Sequence, residues 1–154
     1  MTIRIFAPAK VNLHLAVGAP GADGYHPVET VLQALAFGDT VTLVPGPPAF
    51  SCQPDLGLEA DENLAWRAAR AMADAFGRDL DVAITVEKRV PAGAGLGGAS
   101  SDAAAVMVGL AEHWDLDLAD EELLRVARTL GADVAFFLEG GAALYAGRGD
   151  VLLR

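Results

Sequence analysis

Apolar and polar residues alternate along the first part of the chain. From residue 3 to residue 17 every odd position is apolar, and this period of two predicts β-strand with one buried face and a break near Pro8. The even positions carry Lys10, Asn12 and His14 on the opposite side of the pleat. Such a polar face is either ordinary solvent-exposed surface or a rigid row of groups on which a site is built, and the pattern leaves both open.

The same alternation continues after a turn-rich segment. It predicts strands at 28–36 and 40–44, joined by a hairpin at Phe37-Gly38-Asp39. Residues 45–55 contain four prolines and are predicted to form an irregular loop.

Helical spacing replaces the alternation at Asn63. A helix is predicted over 63–76, with its start at Asp61 or Glu62, and a strand is predicted over 80–87. The residues expected to face the core from these two elements are Ala65, Ala68, Met72, Phe76, Val82, Ile84 and Val86.

The segment 91–102, PAGAGLGGASSD, combines glycines with helix-capping residues. Glycine allows positive φ angles and a close approach of the backbone to a ligand. Ser100, Ser101 and Asp102 are candidate N-cap residues for a helix in which Ala103, Met107, Leu110 and Trp114 share one face. A glycine loop that opens onto a helix N-terminus is typical of an anion site, and nucleotide phosphates are the commonest anions bound in this way.

Other interpretations of the loop are weaker or remain open. The letters G-x-G-x-x-G occur at Gly93, Gly95 and Gly98, but no strand leads directly into the turn, as a dinucleotide-binding loop would require. A Walker A loop is excluded because Ala99-Ser100 stand where Lys-Ser/Thr is needed. A helix-capping turn with surplus glycine stays open.

The last third of the chain predicts one more helix and one more strand. The helix begins near Asp120, presents Leu123, Val126, Ala127 and Leu130 to the core, and ends at Gly131. Asp133 then precedes a strongly apolar segment, either as a cap or turn residue or as a reactive carboxylate at the edge of the core. A strand is predicted over 142–146, and the sequence stops in mid-pattern at 151–154, which is not expected of a natural terminus.

Length and charge narrow the classes of function. The 154 residues suffice for one domain with a core, and 53% of them are hydrophobic. The net charge of −10 argues against binding to nucleic acid or to an anionic membrane, because either partner needs a basic surface. No apolar run approaches the length of a membrane span or a signal peptide, and the single Cys52 fits a reducing compartment, so a cytoplasmic location is expected.

Lys10 and Lys88 are the only lysines among eleven basic residues, a weak indication that their geometry matters.

Four motifs together resemble a known family. They are PAKVNLHL (8–15), DGYH (23–26), PAGAGLGGASSDAA (91–104) and LGADVAFFL (130–138). In this order and spacing they resemble the N-terminal half of the 4-diphosphocytidyl-2-C-methyl-D-erythritol kinases, a branch of the superfamily of galactose, homoserine, mevalonate and phosphomevalonate kinases. The glycine motif alone indicates only the superfamily, whereas the other motifs indicate the cytidyl branch.

The resemblance implies an α+β fold, a mostly antiparallel sheet packed against helices. It implies that residues 1–154 form the N-terminal kinase domain and that the family's C-terminal domain lies outside this sequence. It also implies ATP as cosubstrate, with magnesium bound to it and Ser101 as the nearest candidate metal ligand. The molecule phosphorylated would be a small cytidine-diphosphate conjugate of isoprenoid precursor synthesis.

The resemblance also assigns roles to individual residues. Asp133 would be the base that deprotonates the substrate hydroxyl, and Lys10 would stabilise charge beside it. Asn12 would position the substrate, and Tyr25 with His26 would hold the cytosine. The residues that would surround the ATP phosphates are Pro91, Ala92, Gly93, Ala94, Gly95, Leu96, Gly97, Gly98, Ala99, Ser100 and Ser101.

The chain departs from the family pattern at two positions. Ala99 replaces a glycine, and its methyl group would crowd the phosphates if the residue required a positive φ. Ala135 replaces a proline after Asp133. A non-catalytic nucleotide-binding module or fragment, and a sister kinase acting on a sugar, homoserine or mevalonate, remain as alternative functions.

Overall fold

The computed structural model describes residues 1–20, 24, 26–147 and 151–153. Within them the chain forms one sheet and four α-helices. The strands are β1 (Ile3–Val17), β2 (Val28–Pro45), β3 (Ala49–Gln53), β4 (Val82–Glu87), β5 (Ala142–Ala146) and β6 (Val151–Leu152). The helices are α1 (Leu64–Phe76), α2 (Gly98–Trp114), α3 (Glu121–Leu130) and α4 (Ala132–Glu139), with a 3₁₀ turn at Ala60–Glu62 before α1.

The long strand β2 is the centre of the sheet. β1 pairs with it along one edge from Val17 opposite Val28 to Ile3 opposite Leu43. The other edge of β2 is shared, because β5 pairs with its first half and β4 with its second half. All pairs are antiparallel except β3 with β4, so the predicted α+β fold with a mostly antiparallel sheet is confirmed.

Helix α2 is the centre of the helical layer. It contacts the other three helices as well as β1 and β2, and most of its residues are buried. Small side chains make this central position feasible, and Gly109 lies so close to β2 that a Cβ there would be 2.6 Å from Leu43 Cδ1. The predicted face of α2 is therefore buried, but the helix is packed on almost all sides rather than on one.

A smaller apolar cluster fixes α4 to the sheet. Phe136 is fully buried against Leu32 of β2 and Tyr145 of β5. The rings of Phe136 and Tyr145 meet edge to face, with 6.1 Å between their centroids. Because α4 is short, these contacts determine where its first turn, with Asp133, lies.

The predicted hairpin at Phe37-Gly38-Asp39 is wrong. β2 runs through these residues without interruption, and Gly38 lies opposite Pro8 of β1. A Cβ at Gly38 would be 2.2 Å from the carbonyl oxygen of Ala7, so glycine is required by the close approach of two strands and not by a turn. The predicted loop over 45–55 is also partly wrong, because residues 49–53 form β3.

The predicted strand over 3–17 is confirmed, but its apolar face is buried only in the first half. Ile3, Ala7 and Ala9 are buried, whereas Leu13, Leu15 and Val17 are more than half exposed. Every residue of β1 from Asn12 to Val17 is exposed, so neither face of this half of the strand is covered by the core. The β1–β2 register also shifts between Pro8 and Lys10 and again between Asn12 and His14.

Two predicted helix starts are wrong by a few residues. Asn63 caps α1, since its side chain accepts a hydrogen bond from Ala65 N, and the preceding residues form the 3₁₀ turn. Gly97 is the N-cap of α2, which puts Ser100, Ser101 and Asp102 inside the helix. Three other elements are as predicted. They are the strand that buries Val82, Ile84 and Val86, the helix capped by Asp120 and the strand over 142–146.

One buried polar cluster connects three elements of the core. Asp39 of β2 is fully buried, and Lys88 Nζ donates to its Oδ2 at 2.5 Å and to Asp102 Oδ2 of α2 at 2.7 Å. Asp102 Oδ1 has no hydrogen-bond partner among the described residues. Burial disfavours the ionised carboxylate and raises the pKa of Asp102 to about 7, although Lys88 acts in the opposite direction. Burial lowers the pKa of Lys88, but Asp102 and Asp39 outweigh this effect and raise it overall.

The first prediction concerns the strand crossing at Gly38. Gly38→Ala should lower the free energy of unfolding by about 2–3 kcal/mol, since the added methyl group meets backbone atoms that cannot move aside. Gly131→Ala is the matched control, because a Cβ there has only an ordinary contact, at 3.8 Å. Urea denaturation measures both variants, and an equal effect would contradict the close β1–β2 crossing.

The second prediction concerns Asp102. The folded chain keeps a proton on this carboxyl up to a pKa of about 7, whereas the unfolded chain releases it near 3.8. Stability from this group is therefore complete below pH 3.8 and is lost as the pH rises through 7. Relative to Asp102→Asn, the wild type should lose about 2 kcal/mol between pH 5 and pH 7 in urea denaturation. A difference that does not change with pH would mean that Asp102 is ionised throughout.

Candidate functional site

A cleft opens where the end of β4, the glycine loop and the first turns of α2 and α4 meet. Its volume is about 430 Å³. Most predicted site residues line it: Lys10, Asp133, Pro91, Ala92, Gly93, Ala94, Gly95, Leu96, Gly97, Gly98, Ala99 and Ser100. The structure therefore brings the predicted loop, lysine and aspartate to one concave surface.

The glycine loop has alternating backbone conformations. Gly93, Gly95 and Gly97 have φ angles of 72°, 73° and 70°, whereas the intervening Ala94 and Leu96 do not have positive φ. Successive residues of alternating hand direct their N–H groups toward one concavity, a geometry that binds anions. The loop is continuous with the N-terminus of the 17-residue helix α2, whose dipole also favours negative charge.

The start of α2 settles the question raised by Ala99. This residue lies in the first turn of the helix and does not have a positive φ, so its methyl group is compatible with the loop. Ser100 lines the cleft. Ser101 does not line it, and its hydroxyl is buried without a hydrogen-bond partner among the described residues.

Lys10 is held beside the loop by its backbone and its side chain. Its N–H donates to Leu96 O at 2.9 Å, which fixes the middle of the loop to β1. Its Nζ donates to Asn12 Oδ1 at 2.8 Å and lies 3.6 Å from Asp133 Oδ2. A Cβ at Gly97 would be 2.9 Å from Lys10 Cγ and 3.0 Å from the ring of Phe137. Glycine at 97 is therefore what allows the loop to approach the lysine.

Asp133 is a partly exposed carboxylate in the first turn of α4. Gly131 is the N-cap of this helix, and no side chain caps it, so the alternative of Asp133 as a cap is not observed. Its side chain is 35% exposed, compared with 9% for that of Lys10. Ala135 lies within the helix, so α4 forms without the proline at that position. The carboxylate thus combines access to the cleft with a neighbouring ammonium group.

Asn12 belongs to a hydrogen-bond chain that starts at Lys10. Asn12 Nδ2 donates to Thr30 Oγ1 at 2.7 Å, and Thr30 Oγ1 donates to His14 O at 2.8 Å. These bonds fix the Asn12 amide so that its oxygen faces Lys10. Thr30 was not predicted from the sequence, since only its position opposite β1 in the sheet reveals this role.

Sequence reasoning also missed one wall of the cleft. The additional residues that line it are Leu56, Leu58, Glu62, Asn63, Leu64, Lys88 and Asp102. They come from the segment before α1, the start of α1, the end of β4 and α2. Of these, Lys88 was noted as the second of two lysines in an arginine-rich set, and Asp102 was noted only as a candidate helix cap.

Of the two residues predicted to hold cytosine, the structure describes His26, which does not line this cleft. His26 lies beyond the Val17 end of β1, is exposed, and bonds through Nδ1 to Gly18 O at 2.9 Å. A carbonyl oxygen only accepts hydrogen bonds, so Nδ1 donates and Nε2 is left as an acceptor. Tyr25 lies outside the described residues.

A metal cage of protein ligands is not observed within residues 1–20, 24, 26–147 and 151–153. No group of three or more His, Cys, Asp or Glu residues converges there. This is compatible with magnesium, which commonly takes only one or two protein oxygens together with substrate phosphates.

Among the described helices, none combines the length and apolar character that crossing a membrane requires.

Comparison with known proteins gives consistent matches. Residues 63–141 match the family model described as "GHMP kinases N terminal domain". The chain is 46% identical over 156 aligned residues to 4-diphosphocytidyl-2-C-methyl-D-erythritol kinase of Rhodococcus jostii, covering 96% of this chain and 49% of that protein. It is 47% identical over 148 residues to the kinase of the same name from Salinibacter ruber, covering 95% and 52%. The chain thus spans about half the length of the curated relatives that it matches.

A solved structure supports the same grouping. The crystal structure of a 4-(cytidine 5'-diphospho)-2C-methyl-D-erythritol kinase superimposes with a TM-score of 0.85 at 43% sequence identity. The match covers 97% of this chain and 54% of that one. With the family model matched over α1, β4, the glycine loop and α2 to α4, the chain belongs to the GHMP kinase family, as its N-terminal domain.

Proposed function

We propose that this chain carries the nucleotide loop and the catalytic residues of an ATP-dependent kinase. The kinase phosphorylates a hydroxyl group of 4-diphosphocytidyl-2-C-methyl-D-erythritol, in the cytoplasm, on the non-mevalonate route to isoprenoid precursors. The observation that carries the proposal is the convergence of Lys10 and Asp133, which are 123 residues apart in sequence, to 3.6 Å beside the glycine loop. The names of the relatives supply the substrate.

Asp133 acts as the general base in this proposal. An alcohol is a poor nucleophile at neutral pH until its proton is accepted, and Asp133 is the carboxylate of the cleft that is both accessible and next to an ammonium group. The proton of the substrate hydroxyl moves to a carboxylate oxygen of Asp133, and the hydroxyl oxygen attacks the γ-phosphorus of ATP while the bond to the β–γ bridging oxygen breaks. Lys10 places positive charge beside the base and the transferred group.

The glycine loop supplies the donors for the phosphates. Phosphoryl transfer depends mainly on in-line positioning and on stabilisation of negative charge, which backbone N–H groups provide without side chains. Magnesium bound with ATP would neutralise charge between the β- and γ-phosphates. Oxygen-bearing side chains in the cleft lining include Ser100 and Asp133, and Ser101 remains the candidate from the family pattern.

Recognition of the substrate is assigned to the β1–β2 hairpin. Asn12, fixed by Thr30, is positioned to orient the group to be phosphorylated. His26 keeps an Nε2 acceptor for the cytosine amino group, and Tyr25 is assigned to stacking on the base. Because Lys10 lies at the middle of β1 and His26 lies beyond its Val17 end, this arrangement suits a long substrate such as a cytidine-diphosphate conjugate.

A binding module without catalysis is the second candidate, since the chain spans half the length of its relatives. A module would bind ATP but would not transfer its phosphate.

The third prediction tests the base. Asp133→Asn should lower turnover at least about 100-fold, because the amide cannot accept the proton. ADP formation from ATP and the cytidyl substrate measures the rate, and Asp74→Asn, on the exposed side of α1, should leave it unchanged. Near-normal turnover of the Asp133 variant would remove the base assignment.

The fourth prediction separates the alternatives. The chain should bind ATP in calorimetry and turn over only substrates that carry cytosine, so galactose, homoserine and mevalonate should be inactive. Binding of ATP without turnover of any substrate would favour the module, and absence of binding would favour an inert fragment. Turnover of homoserine or mevalonate in place of the cytidyl substrate would identify a sister kinase.

A further inference from the structure

The glycine loop has few packing contacts of its own. Residues 91–95 are all exposed, and Cβ atoms built at Gly93 and Gly95 would meet nothing within 4 Å. A segment rich in glycine also loses more conformational entropy on ordering than other sequences do. The observed alternation of conformations must therefore be imposed where the loop is attached to the rest of the chain.

Both ends of the loop are attached to one buried cluster. At the start, Asp39 Oδ1 accepts hydrogen bonds from Val90 N, at 2.7 Å, and from Arg89 N. At the end, Asp102 in the first turns of α2 accepts from Lys88 Nζ, which is bonded in turn to Asp39 Oδ2. A Cβ at Gly98 would be 3.1 Å from Lys88 Nζ, so the first turn of α2 lies directly over the ammonium group.

Lys88 is engaged with the protein and not with the open cleft. It lines the cleft, yet its side chain is only 8% exposed, and its ammonium group is bonded to two carboxylates. The cost of burying this ammonium group and its two carboxyl partners is compensated only while these bonds are intact. Lys10, by comparison, has its nearest carboxylate at 3.6 Å.

We propose that Asp39, Lys88 and Asp102 form a clamp that holds the two ends of the glycine loop in the geometry needed to bind a nucleotide triphosphate. Asp102 and Asp39 are then positioning residues that act through Lys88 and through the backbone at 89–90. The ligand part of this inference rests on the proposed function, whereas the ordering of the loop does not.

Two substitutions of Asp102 distinguish a clamp from a simple charge effect. Both are measured above pH 7, where the Asp102 carboxyl is ionised. Asp102→Ala removes the acceptor for Lys88, and Asp102→Asn keeps an acceptor of the same shape and removes the charge. If the clamp positions the loop, Asp102→Ala should raise the Kd for ATP about tenfold, the scale for loss of a hydrogen bond to a charged group, and Asp102→Asn should not raise it. A charge effect has the opposite sign, since removing a carboxylate near phosphates tightens binding in both variants.

Hydrogen exchange tests the loop without any ligand. Asp102→Ala should speed exchange of the amides at 92–99 about tenfold or more, while amides of α1 and β4 change only with global stability. Val126→Ala, which leaves a cavity beside α3, is the control for general destabilisation. It should leave the Kd for ATP unchanged, and the exchange rates at 92–99 should change no more than those of α1 and β4.

The outcomes are decisive in both directions. Unchanged loop exchange in Asp102→Ala, or an ATP affinity equal to or tighter than that of the wild type, overturns the clamp. If the wild type itself does not bind ATP, the proposed function fails at its nucleotide site, and the exchange experiment still decides whether the clamp orders the loop.

Discussion

The register shift between Pro8 and Lys10 is the constraint on which the site depends. Before the shift, β1 directs Ile3 and Ala7 into the core, and a regular strand would direct Lys10 away from it. The shift buries Ala9 and Lys10 in succession, so the ammonium group reaches the cleft side of the sheet. The close crossing at Gly38, opposite Pro8, belongs to the same irregular segment. Without this shift, the Lys10 side chain would lie on the face opposite the cleft, and the glycine loop would lack its neighbouring ammonium group.

The fold and the site were predictable to different extents because they depend on contacts of different range. Local periodicity and capping predict four elements to within a few residues of their observed bounds. They are the strand over 82–87, the helices capped at Asn63 and Asp120, and the strand over 142–146. Phe37-Gly38-Asp39 was misjudged because glycine and aspartate are common in turns. Here the aspartate is in the middle of a strand, and its partners at 88–90 are about 50 residues away in sequence.

The site residues illustrate the same division. The glycine loop carries a local signal, and four motifs in fixed order indicated which family uses it. The approach of Asp133 to Lys10 is not encoded locally, because it depends on Phe136 packing against Leu32 and Tyr145 and on the turn at Gly131. Thr30 and the wall from Leu56 to Leu64 carried no chemical signal, since ordinary polar and apolar residues acquire a role only from their position in the sheet and before α1.

The two lysines occupy opposite electrostatic situations within one cleft. Lys88 is held between two buried carboxylates at 2.5 and 2.7 Å, and an arrangement of this kind is costly to open because each charge would be left without its partner. Lys10 is as buried as Lys88, but it is bonded to a neutral amide and its nearest carboxylate is 3.6 Å away and one-third exposed, so an incoming anion displaces a weaker pairing. The geometry therefore divides two tasks between residues of one type: the tightly paired lysine preserves the shape of the loop, and the loosely paired lysine is free to respond to what the loop binds.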